Sequence, residues 1–170
     1  LNEFCKPGGK MVLPGYERLI APQAATIDTA RTLDIPIFWV IQSHDSRLRR
    51  DRELLKRGTH CLLGTWGTQV IEDLDVRESD FHLYKHRYSA FFQTPLDLLL
   101  KDMMIDQLVV FGIVTNICVR STVHDAFFNG YEVIVPEDCC AATGQREQES
   151  SLYDIATHFT PRYRPWRQRI

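Results

Sequence analysis

The segment from Gln107 to Pro136 constrains the fold most. Gln107-Leu108-Val109-Val110-Phe111-Gly112 is a short apolar run rich in β-branched residues and ended by glycine, which reads as a buried strand. A helical pattern over residues 117–129 follows, closed by Gly130 where a left-handed residue commonly ends helices. Glu132-Val133-Ile134-Val135-Pro136 is then a second strand. Strand, helix and strand joined by links this short imply parallel pairing, because a parallel neighbour is reached only through a crossover.

Upstream, residues 16–33 place Ile20, Ala24, Ile27, Ala30 and Leu33 at near-helical spacing, with Pro22 marking a start or a kink. This helix runs into Ile35-Pro36-Ile37-Phe38-Trp39-Val40-Ile41, which reads as a strand buried on both faces. Residues 43–67 are polar and form a long, loop-rich excursion. A further strand is expected at Phe81-His82-Leu83-Tyr84, followed by a helix over 96–104 with Thr94 as N-cap and Pro95 as first helical residue. The pattern predicts an α/β fold, a three-layer α/β/α arrangement around a doubly wound, mostly parallel sheet. Ligands in such folds bind beyond the carboxyl ends of the strands, which directs attention to the residues just after Tyr84 and Phe111.

A chain of 170 residues fits one domain with one core. Its net charge of −2 supplies no basic field for nucleic acid or anionic lipid, and Arg47, Arg49, Arg50 and Arg52 read as a solvated face. Five cysteines, at 5, 61, 118, 139 and 140 with no C-x-x-C pair, argue against a disulfide framework and a zinc ribbon and favour a reducing compartment. No apolar stretch approaches the roughly 18 residues of a membrane span, and no signal peptide opens the sequence. The expectation is a cytoplasmic protein without nucleic-acid or membrane partners.

Two residues stand where chemistry is expected. Gly112-Ile113-Val114-Thr115-Asn116-Ile117-Cys118-Val119 leaves a strand through a glycine turn and sets Cys118 in the first turn of the next helix. There the helix dipole and unpaired N–H groups favour a thiolate and can hold an oxyanion. A small buried core cysteine is the competing reading. Lys85 ends a predicted strand, where an ammonium could stabilise a thiolate; simple solvation competes with that role.

Taken together, Lys85-His86-Arg87-Tyr88-Ser89-Ala90-Phe91, then residues 110–119 with Thr122 and Asp125-Ala126, then Val135-Pro136-Glu137-Asp138, resemble the isochorismatase-like cysteine hydrolases over about residues 1–159. The resemblance implies an Asp–Lys–Cys triad with Lys85 and Cys118 as two members. It implies an oxyanion hole from the backbone N–H groups of Val114 and Cys118, a cis peptide at Ile113-Val114, and no cofactor. The family's aspartate falls just ahead of Asn2-Glu3-Phe4, which implies an amino-terminally truncated hydrolase domain over 1–159. Glu3 is an alternative carboxylate, matching a neighbouring motif position. Residues 160–170, Pro- and Arg-rich, read as a divergent tail.

The resemblance further implies acyl transfer to Cys118 from a small amide or ureido compound, with biuret, ureidoacrylate and N-carbamoyl amines as the kinds of substrate, and a homo-oligomer. A non-catalytic binding or scaffold protein and an isochorismatase- or nicotinamidase-type hydrolase are the alternatives. Nicotinamidase relatives hold a metal with an Asp and His cluster, whereas Gln42-Ser43-His44-Asp45-Ser46 offers one histidine, so no metal is expected. Phe91, Trp66, His44 and Asn116 are candidate substrate contacts, with packing or hydrogen bonding as their other reading. His60-Cys61 and the adjacent Cys139 and Cys140 are expected to be structural, adjacent cysteines being too strained to bridge readily.

Overall fold

A computed structural model describes residues 1–160; apart from Thr160, the expected tail lies outside the described residues. The chain divides into two compact units, Leu1–Arg87 and the part from Tyr88 onward.

The first unit begins with α1 (Asn2–Cys5), a single turn. The Asn2 amide donates to the Trp66 carbonyl at 3.1 Å, and Glu3 Oε1 accepts from the Lys10 N–H at 3.1 Å. A Cβ at Gly9 would lie 2.3 Å from the Glu3 carbonyl oxygen, and one at Gly67 2.1 Å from Glu3 Oε2. Glycine at both positions therefore lets the chain close over Glu3, against its backbone at Gly9 and against its carboxylate at Gly67.

A 3-10 turn, Tyr16–Leu19, leads into α2 (Ile20–Thr32), with Pro22 in the first turn where a missing N–H costs nothing. The buried stripe of α2 is Gln23, Thr26 and Ile27, and Leu33 at the C-cap is exposed. The stripe is thus rotated from the one predicted. Thr26 tolerates burial because its hydroxyl donates to the Pro22 carbonyl at 2.9 Å.

The next strand, β1 (Phe38–Gln42), pairs in parallel with β2 (Phe81–Lys85), in a register that runs from Phe38 opposite Phe81 to Gln42 opposite Lys85. β1 starts later than its apolar run suggested, since Ile35 and Pro36 are exposed and proline has no N–H for a ladder. Only Ile41 and Gln42 of β1 are buried, so the reading of a strand buried on both faces is corrected. Residues 43–67 are more ordered than a loop, holding a bridge between His44 and Leu62 and a short helix, α3 (Arg52–Arg57).

Asp80 ties this unit together, accepting from Arg31 at 2.9 and 3.0 Å, Trp39 Nε1 at 2.8 Å and the Arg77 N–H at 2.9 Å. Burial pushes its carboxyl upward, but these donors outweigh burial and bring it to about 2. A folded value below the unfolded one stabilises the protein above the unfolded value, and that contribution is lost as pH falls through the folded value. Asp80→Ala is expected to cost about 3 kcal/mol at neutral pH and to flatten the stability curve between pH ~4 and ~2. Denaturant melts across that window check it, and an unchanged acid limb would refute it.

In the second unit, α4 (Leu96–Asp102) starts one residue later than expected. Pro95 is the N-cap, while the Thr94 hydroxyl accepts from the Leu96 N–H at 3.3 Å. The single strand predicted over 107–112 is two strands: β3 (Gln107–Val109) pairs with β5 (Glu132–Ile134), and β4 (Gly112–Ile113) pairs with β6 (Cys140–Ala141), both in parallel. Gly112 at φ +122 breaks the run, a conformation closed to residues with a Cβ. A π-helical turn, Thr115–Val119, feeds α5 (Arg120–Phe128), and Gly130 at φ +89 closes the helix as predicted. The last helix is α6 (Gln145–His158). Leu100, Val123, Ala126, Val133 and Ile155 are fully buried. Cys139 and Cys140 are both buried, with no disulfide between them, and burial pushes Cys140 up to about 12. Among the described residues no helix is long and apolar enough to cross a membrane.

Candidate active site

In the first unit the site grows from strand alternation. Leu83 and Lys85 of β2 are buried while His82 and Tyr84 face outward, and parallel register sets Gln42 opposite Lys85. Gln42 and His44, two residues apart, are both buried, so three polar groups converge inside the unit. Burial without partners would be costly, and the partners are present.

Lys85 Nζ donates to Gln42 Oε1 and, at 2.9 Å, to the Arg87 carbonyl. The Gln42 amide nitrogen lies 3.0 Å from His44 Nε2 and 3.4 Å from Glu53 Oε2. His44 Nδ1 is 2.9 Å from Asp51 Oδ2. Asp51 also caps α3, accepting from the N–H groups of Glu53 at 2.9 Å and Leu54 at 3.2 Å, and it faces Arg87 Nη1 at 3.4 Å. Burial raises the Asp51 carboxyl, but its bonds from His44 and the two backbone N–H groups hold it below the ordinary value. Burial raises Glu53 above the ordinary range despite the opposing charges of His44 and Lys85. Arg47, Arg49, Arg50 and Arg87 line an open groove beside Asp51.

His44, Glu53 and His60 bring metal-ligand atoms within 4.8 Å of one another. An ammonium only donates, so Lys85 faces the oxygen of Gln42, and the Gln42 NH2 donates to His44 Nε2. The other His44 nitrogen carries the proton given to Asp51. His44 therefore has no lone pair left for an ion, and the arrangement does not fit a metal while Gln42 holds this position. Sequence reasoning singled out His44 and His60 separately but missed Gln42, Asp51 and Glu53. Two signals existed: Gln42-x-His44 alternates as a strand does, and Asp51 precedes a short charged helix as an N-cap does.

In the second unit Cys118 lies in the π-helical turn. Its carbonyl accepts from the Thr122 hydroxyl at 2.8 Å, and that hydroxyl accepts from the Ala90 N–H at 3.0 Å. The Val114 carbonyl takes the N–H groups of Ile117 and Val119, each at 3.2 Å. The Ile113–Val114 peptide bond is cis. Asn116 and Thr143 are doubly bonded, the Asn116 amide donating to the Thr143 hydroxyl at 3.1 Å and its oxygen accepting from the Thr143 N–H at 3.2 Å. Phe91 packs with its ring centroid 5.6 Å from that of Tyr131. Of the other candidate contacts, Trp66 is exposed and His44 is fully buried. Cys5, Cys61, Cys139 and Cys140 are buried, leaving Cys118 alone among the five cysteines with partial exposure.

Comparison with known proteins places the chain in a family. The model of the Isochorismatase domain matches residues 1–162, and the chain belongs to the isochorismatase family. An isochorismatase-like hydrolase from Alkaliphilus metalliredigens is 34% identical, with a TM-score of 0.86 over 94% of this chain and 87% of that one. The N-carbamoylsarcosine amidase of Thermoplasma acidophilum is 32% identical, with a TM-score of 0.82 over 91% of this chain and 87% of that one. The nicotinamidase/pyrazinamidase of Bacillus subtilis, at 23% identity, shares the fold, with a TM-score of 0.85 over 93% of this chain and 91% of that one. The α/β fold class read from the sequence is therefore that of these hydrolases.

Proposed function

We propose that this protein is a cysteine-dependent amidohydrolase that cleaves a C–N bond in a small amide or ureido compound. The observation that carries this reading is Cys118, the one partly exposed thiol of five, at the position the family resemblance gives to the nucleophile. Likeness to an N-carbamoylsarcosine amidase at 32% identity supports the ureido class.

In the proposed reaction the Cys118 thiolate attacks the carbonyl carbon and forms a C–S bond. In the roles the family resemblance implies, the backbone N–H groups of Val114 and Cys118 take the developing oxyanion and Lys85 supplies positive charge. The C–N bond breaks as the leaving nitrogen receives a proton from an acid/base group, the role the family resemblance implies for the aspartate of the triad, releasing ammonia or an amine. Water then attacks the acyl carbon, giving that group back its proton, and the C–S bond breaks to return the thiolate. The test is ammonia release, by the longest form of the protein its gene encodes, from biuret, N-carbamoyl amines, ureidoacrylate and nicotinamide. Turnover of a ureido compound above the nicotinamide rate is expected; exclusive turnover of nicotinamide would move the protein to the other branch, and silence on all four would count against the reading.

A further inference from the structure

We infer that Gln42 is a positioning residue for Lys85, held in place by His44 and Asp51. This deepens the proposed function and rests on its assignment of Lys85 to catalysis.

The inference follows from the direction of each hydrogen bond. Lys85 is 5% exposed and His44 is 0% exposed, so neither is oriented by solvent. Lysine carries donors only, and a carboxylate carries acceptors only. The chain between them must therefore run one way, from Lys85 Nζ to Gln42 Oε1, from Gln42 Nε2 to His44 Nε2, and from His44 Nδ1 to Asp51 Oδ2. Reversing the Gln42 amide would set its NH2 against the ammonium and its oxygen against Glu53 Oε2, now 3.4 Å from the amide nitrogen. Protonating His44 at Nε2 would set two donors against each other at the 3.0 Å contact. Each member thus dictates the orientation of the next, and Asp51 anchors the series because the N-terminus of α3 and Arg87 also hold it.

The groups around the His44 ring are Asp51 on one nitrogen, Glu53 at 3.8 Å from the other, and the His60 ring at a centroid distance of 4.8 Å. His60 Nδ1 donates to the Gly58 carbonyl at 2.8 Å, so it does not compete for Gln42. The consequence for function is that Lys85 is aimed by a buried amide rather than by its own flexible stem. Loss of that aim lowers the rate of the chemical step and spares substrate binding, since displacing a catalytic group by about 1 Å can cost about a hundredfold.

Two measurements test the inference. Gln42→Leu, which removes both ends of the bridge, is expected to lower kcat about 30- to 100-fold with KM within about threefold, and Gln42→Glu, which keeps an acceptor for Lys85, is expected to recover part of that loss. Nitrogen NMR of the unmodified protein at the assay pH is expected to show His44 as the neutral tautomer protonated at Nδ1. A proton on His44 Nε2, or Gln42→Leu at the wild-type kcat while Lys85→Met is inactive, would overturn the inference. Full activity of Lys85→Met would instead overturn the catalytic assignment of Lys85, so the two failures are distinguishable.

Discussion

Cys118→Ala is expected to lower turnover by about ten-thousand-fold or more, the size of loss seen when a covalent nucleophile is removed and only binding and oxyanion contacts remain. The same substitution is expected to leave stability within about 1 kcal/mol, because a half-buried thiol gives up little packing. Cys118→Ser is expected to be nearly as inactive, since a hydroxyl at neutral pH lacks the nucleophilicity of a thiolate. The backbone of the turn should survive both changes: the Cys118 carbonyl bonds to Thr122 and the Val114 carbonyl to Ile117 and Val119, none through the thiol. Kinetics on the best substrate of the panel, with a thermal melt as control, decide the matter. A Cys118→Ala protein that retains the wild-type rate would exclude covalent catalysis and return the cysteine to a packing role. Iodoacetamide gives an independent check. One equivalent should inactivate the wild type and leave Cys5, Cys61, Cys139 and Cys140 unlabelled, because those four thiols are buried.

Parts of this site could be read from the residues because they depend on short-range rules. β2 alternates outward His82 and Tyr84 with inward Leu83 and Lys85, and Gly130 closes α5 by a conformation few other residues adopt. Strand splitting at Val110–Phe111 was not readable, since the four apolar residues Leu108 to Phe111 look like one strand. Only the partners show that β3 and β4 belong to different pairs. The rotation of α2 was hidden for a similar reason. Gln23 and Thr26 look like surface residues, yet one hydroxyl bonded to a carbonyl makes burial of Thr26 tolerable. The Gln42, His44, Asp51, Glu53 and His60 cluster was the least legible. Its members are strung along a polar stretch with no period, and charged residues there signal solvent on average. What gathers them is the bridge from His44 to Leu62 and the short α3 helix, both of which depend on contacts distant in sequence.

Asp51→Ala should be among the most destabilising single substitutions in the first unit, at about 3–5 kcal/mol, the cost of stripping one partner from a buried, hydrogen-bonded polar network. Its carboxylate accepts from His44, from the Glu53 and Leu54 N–H groups, and from Arg87, with only 1% of the side chain exposed. Removal leaves the cap of α3 unmade, worth about 1 kcal/mol on its own, and leaves a buried His44 N–H without an acceptor. Asp51→Asn should cost less, because one amide oxygen can replace part of the cap, but its NH2 cannot accept from His44. The pH dependence has a fixed sign. The folded carboxyl lies below its ordinary value, so its contribution is present above the unfolded value near 3.9 and is lost as pH falls through the folded one. Wild-type stability should therefore drop more steeply than that of Asp51→Asn below pH ~4. Denaturant midpoints at neutral and acidic pH read both effects, and a loss under about 1 kcal/mol for Asp51→Ala would show that His44 finds another acceptor. In that event Gln42 would lose its anchor without cost to the fold, and the rate effect of Asp51→Ala on kcat would separate positioning from stability.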